Sequence, residues 1–86
     1  MDNIETLREK IDAVDDQILK DLVVRMKICI AIGELKKQQG KPVHDISRET
    51  EVFKRVRERA EIFKLDPIKI ERLYREIVNM CSDVQE

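Results

Sequence analysis

Arg25 and Lys36 stand on an apolar helical stripe where a core would place hydrocarbon. From Ile18 the stripe continues through Leu22, Arg25, Cys29, Ile32 and Lys36, at the alternating three- and four-residue spacing of one helix face. Eleven residues separate the two cations. At roughly 100° per residue this returns Lys36 to within about 20° of Arg25, roughly 16 Å further along the axis. Unpaired buried cations are strongly destabilising, so this face either opens to water or meets something anionic.

Three more polar residues fall at the ends of apolar stripes. Glu49, with Arg48 beside it, precedes Val52, Phe53 and Val56 by one turn, and Gln85 continues the line of Ile70, Tyr74, Ile77 and Cys81. Arg8 lies seventeen residues before Arg25 and about 100° around the same helix, so the two do not share a site within one chain. An antiparallel second copy can bring its Arg8 to the first copy's site. Together these residues supply cations, a carboxylate and a neutral amide, without a nucleophile-base pair or a metal-ligand set. Arginines grip carboxylates bidentately and a lysine adds a compact charge, so the set suits a small polyanion. It favours a reaction whose transition state separates charge in a preorganised pocket over covalent catalysis. Each residue also has a plainer reading: Arg25 as a polar register-setter, Lys36 as a snorkelling lysine, Arg48 and Glu49 as first-turn decoration, Gln85 as a surface residue, and Arg8 as a partner of Asp12 or Asp15.

The elements that must position them are helices. Asp2 with Glu5 reads as a capping-box variant, and helical periodicity runs from Ile4 to about Gln38. The β-branched run of Ile28, Ile30 and Ile32 lies inside that period, as does Gly33, which lowers local helix propensity by roughly 1 kcal/mol relative to Ala. Gly40-Lys41-Pro42 stops the first helix. A second is predicted from a cap at Asp45 or Ser47 to about Phe63, and a third from Asp66-Pro67 onward. The first helix would be roughly 55 Å long, whereas a compact chain of this size is near 30 Å across, about twice its radius with allowance for side chains. The other helices are about half its length, so an antiparallel copy is expected to cover the rest. The sequence thus predicts one all-α domain over residues 1–86, three helices per chain in an intertwined homodimer.

Composition narrows the function. The chain has 86 residues, 41% of them charged, with a formal net charge of −1. That balance gives no basic excess for nucleic acid or an anionic membrane. The apolar run from Ile28 to Ile32 is too short to span a bilayer, and the acidic start is unlike a secretory signal, which together predict a cytoplasmic protein. Cys29 and Cys81 form no CxxC pair, and His44 is the single histidine. Neither a disulfide framework nor a zinc site is expected, and both cysteines read as packing residues.

The segment Leu7-Arg8-Glu9-Lys10-Ile11-Asp12-Ala13-Val14-Asp15, Arg25, Ile32-Gly33-Glu34-Leu35-Lys36, the run Pro42-Val43-His44-Asp45-Ile46-Ser47-Arg48-Glu49 and the distal Gln85 resemble the all-helical class of chorismate mutases, in order and over essentially the whole chain. The resemblance implies an intertwined dimer that rearranges chorismate to prephenate, an intramolecular [3,3] Claisen reaction in phenylalanine and tyrosine biosynthesis, without cofactor. It implies that Arg25 and Arg8 of a second copy hold the substrate's carboxylates. Lys36 and Gln85 would donate to the breaking ether oxygen, Glu49 would accept from the ring hydroxyl, and Asp45 and Arg48 would complete the wall. Cys81 departs from the pattern: relatives usually place a serine there, a better hydrogen-bond donor, and here Ser82 follows one position on. Two other functions fit the scaffold: an isochorismate-pyruvate lyase using the same cationic pocket, and a non-catalytic helical regulatory or assembly module.

Overall fold

A computed structural model describes residues 3–86. The chain folds as three α-helices, α1 (Ile4–Gln39), α2 (Ile46–Ile62) and α3 (Pro67–Gln85), with no strand among the described residues. The all-helical fold is the one the periodicity predicts. Asn3 caps α1, its side-chain oxygen accepting from the Thr6 amide at 2.9 Å. The helix begins at Ile4, as the periodicity predicts, and the expected Asp2 cap lies outside the described residues. The helix passes through Ile28–Ile32 and Gly33 unbroken and closes at Gly40, whose φ of 67° is left-handed. There the Lys41 amide donates to the Lys36 carbonyl at 2.8 Å and the Gly40 amide to that of Lys37 at 3.2 Å.

Asp45 caps α2, accepting from the Arg48 amide at 3.0 Å. After Ile62 the chain turns through Lys64, with φ 60°, and the Leu65 amide closes back onto the Ala60 carbonyl. Asp66 then accepts from the amides of Ile68 and Lys69, with Pro67 opening α3 where no amide donor is needed.

The third helix lies between the other two. It runs parallel to the second half of α1, where Cys29 faces Cys81 and Gly33 faces Gln85. Against α2 it is antiparallel, with Arg57 bonded to Glu71 and the Arg75 guanidinium 4.4 Å from the centre of the Phe53 ring. No Cα of α1 comes within 8 Å of one in α2. Two-sided cover widens the apolar arc that α3 needs, so Val78 is buried beside Ile77, although the sequence stripe passes over it. Cys29, Val56 and Ala60 complete the buried apolar set. Glu71 accepts from both Arg57 and Arg75, and these hydrogen bonds hold its carboxyl below the ordinary range.

The cysteines correct the sequence reading. Cys29 and Cys81 form a disulfide, with Cα atoms 5.5 Å apart. Fifty-two residues separate them, so no short spacing announces the pair. The parallel register of α1 and α3 brings them to one level. One turn further along, an added Cβ on Gly33 would lie 2.9 Å from Gln85 Cγ and 3.0 Å from Gln85 Cα. Gly33 therefore permits a close backbone approach.

The molecule measures 58 × 24 × 15 Å, with a radius of gyration of 16.2 Å, against about 12 Å for a compact chain of this length. The N-terminal half of α1 accounts for the excess. Its Ile4, Leu7, Ile11, Val14, Ile18 and Leu19 are between 46% and 67% exposed. Among the described residues no helix is long and apolar enough to cross a membrane.

Candidate functional site

A cavity of about 420 Å³ opens between α1 and α2, with α3 along its side. The first helix contributes Arg25, Cys29 and Lys36, the start of α2 contributes Asp45, Arg48 and Glu49, and the end of α3 contributes Cys81, Ser82 and Gln85. The helical repeat sets Arg25, Cys29, Ile32 and Lys36 in one line down the α1 wall.

Lys36 is the most firmly held cation. Its Nζ donates to the Val43 carbonyl at 2.6 Å and to Gln85 Oε1 at 2.8 Å. An ammonium carries three protons, so one remains for an occupant of the cavity. Gln85 is 6% exposed and its Nε2 donates to Cys81 Sγ at 3.4 Å, leaving the amide a second N–H. The Arg25 guanidinium is half-buried and contacts Cys29 Sγ at 3.6 Å. Among the described residues neither Arg25 nor Lys36 forms an ion pair with a carboxylate. The two cations inferred from spacing thus face the cavity without an ion-pair partner among the described residues.

The α2 wall is divided between structure and surface. Asp45 is engaged as the helix cap, and Arg48 Nη1 reaches Glu51 at 3.4 Å on the outer surface. Glu49 is half-buried at the cavity edge. Three cations against two carboxylates leave the lining with one positive charge. Arg8 does not reach this cavity. It lies on the projecting part of α1, about 26 Å along the axis from Arg25. The sequence reading missed the Val43 carbonyl, which carries no side-chain signal, and the sulfur bridge that forms part of the lining.

A second hollow, of about 450 Å³, lies between α2 and α3 beside Phe53, Arg57 and Arg75. Its arginines are both bonded to Glu71, so it lacks the free cations of the first. Among the described residues no three metal-binding side chains cluster anywhere.

Residues 7–86 match the family model of chorismate mutase type II. The chain belongs to the type II chorismate mutase family. This is a family of isomerases. A bifunctional chorismate mutase/prephenate dehydratase of Aquifex aeolicus is 32% identical over the whole of this chain, which corresponds to 25% of that protein. The chain thus spans about a quarter of that larger relative. A chorismate mutase of Methanocaldococcus jannaschii is 30% identical over 77% of this chain and 67% of its own length. Among solved structures, a conserved hypothetical protein from Pyrococcus furiosus superposes with a TM-score of 0.75 at 34% identity, covering 96% of this chain and 95% of that one. The family and the solved relative fit the helical architecture, and the cavity lies on the helices that the family match includes.

Proposed function

We propose that this chain rearranges chorismate to prephenate at the cavity between α1 and α2. The observation that carries the reading is the pair of half-buried, unpaired cations, Arg25 and Lys36, on one wall with Gln85 locked beside Lys36. Chorismate is a dianion. It must be folded so that its two reacting ends touch, and during the reaction an ether C–O bond breaks as a C–C bond forms, with negative charge growing on the ether oxygen. Arg25 anchors a carboxylate and Lys36, with the remaining Gln85 N–H, meets that oxygen. Holding the ends together lowers the entropic barrier, and the fixed donors stabilise the developing charge. Glu49 accepts from the ring hydroxyl, while Asp45 and Arg48 close the wall. No step needs a nucleophile, a metal or a cofactor.

The working unit is a homodimer in which an antiparallel copy covers the bare half of α1 and donates its Arg8. That residue would raise the cavity from one positive charge to two, which matches a dianionic substrate. The product feeds phenylalanine and tyrosine formation in the cytoplasm. The deciding experiment follows loss of chorismate's ultraviolet absorbance with purified protein and identifies the product. Prephenate is the expected result. A folded protein that leaves chorismate intact but eliminates pyruvate from isochorismate is a lyase, and one inert towards both is a binding module.

A further inference from the structure

The Cys29–Cys81 bridge joins the two helices that carry Arg25, Lys36 and Gln85, and both sulfurs border the cavity. Cys29 lies one turn beyond Arg25, and Cys81 one turn before Gln85. Each sulfur accepts from the polar residue on its own helix, Arg25 at 3.6 Å and Gln85 at 3.4 Å. The placement of Gln85 is demanding. It must stay against Gly33 and keep its carbonyl on Lys36, yet it sits in the last turn of α3, where helices open first.

Building on the mutase reading, we infer that the Cys29–Cys81 disulfide is a positioning cross-link that holds Gln85 against Lys36, so that its thiol-disulfide state sets the activity of the cavity. Cys81 is half-buried and faces the opening, whereas Cys29 is 4% exposed, so a dithiol reductant meets Cys81 first. Its thiolate attacks Cys81 Sγ, the bond to Cys29 breaks, and Cys29 leaves as a thiolate that takes up a proton. The reductant's second thiolate then attacks its own sulfur in the mixed disulfide and releases Cys81, which is protonated in turn. Two electrons pass from the reductant, which ends as a disulfide, to the protein, which ends with two thiols. Without the bond, the end of α3 is tied to its neighbours by the Gly33 approach, the Lys36–Gln85 hydrogen bond and the exposed His44–Glu86 contact at 3.8 Å.

The test compares the fully oxidised protein with the same protein reduced by dithiothreitol, its thiols counted by alkylation and mass. Reduction is expected to speed amide exchange about tenfold at residues 82–85 while leaving residues 52–60 of α2 unchanged. It should also lower kcat more than it raises KM, because Gln85 meets the oxygen that becomes charged. Reoxidation should restore both properties. The Cys29→Ser/Cys81→Ser double variant should behave like the reduced protein and ignore reductant. Equal exchange at residues 82–85 in proven oxidised and reduced forms overturns the inference, as does acceleration spread evenly over all three helices, which would mark a merely stabilising bridge. If neither form converts chorismate, the mutase reading fails, and amide exchange still decides whether the bond positions the turn.

Discussion

In the proposed reaction Lys36 would concentrate the chemistry, because two of its protons are already committed, to Val43 and Gln85, which fixes the direction of the third. Lys36→Ala is expected to lower kcat on chorismate by about 10²- to 10³-fold, the loss of roughly 2.7–4 kcal/mol typical of a donor aimed at developing negative charge. Stopped or continuous absorbance assays on protein of unchanged circular dichroism would check it. Glu71 provides a different expectation, on stability. Arg57 and Arg75 hold its folded carboxyl below the ordinary 4.5, so their contribution is present above that value and fades as pH falls through the lower folded one. Thermal melts of Glu71→Gln should therefore lose stability near neutrality and show a shallower acid decline than the parent. The candidate cations were legible in the sequence because charge breaks an otherwise apolar period. The Val43 carbonyl was not, since every residue carries one.

Among the elements, the two glycines separate what a sequence can and cannot reveal. Gly40 has φ 67° and open space around its missing Cβ. Gly40→Ala should therefore cost about 1 kcal/mol of conformational strain, read as a shifted denaturant midpoint with activity retained. Gly33 reads in the sequence as a local weakness, and Ala should favour the helix there by about 1 kcal/mol. The structure reverses that sign, because the new methyl would meet the Cα and Cγ of Gln85. Gly33→Ala is expected to reduce kcat more than it reduces the melting temperature, by pushing Gln85 off Lys36. The stop of α1 and the starts of α2 and α3 were legible because Gly40, Asp45 and Asp66-Pro67 act locally. Burial of Val78 and pairing of Cys29 with Cys81 were hidden because both depend on α3 packing against neighbours distant in sequence.

At the scale of the molecule, a 58 Å length and the bare apolar residues of early α1 call for a second copy. Sedimentation should give twice the mass of the chain. Arg8→Ala and Arg25→Ala homodimers should each be nearly inactive, and refolding them together should restore part of the activity, since one of the two mixed sites then holds both arginines. Absence of restoration despite demonstrated subunit exchange would place Arg8 outside the site. The length of α1 was legible because no breaker precedes Gly40, and the length alone raised the need for a partner.

The separation of α1 from α2 has a thermodynamic consequence. These helices face each other across the cavity with no Cα of one within 8 Å of the other, so a bound dianion would bridge two elements otherwise held together by the 40–45 connection, where Lys36 bonds the Val43 carbonyl, and by α3. Recognition and folding then draw on the same contacts. At a concentration one hundred times its dissociation constant, an unreactive dicarboxylate mimic should stabilise the native state by about 2.7 kcal/mol, and the extra resistance to amide exchange should concentrate at the beginning of α2, where Asp45, Arg48 and Glu49 line the cavity.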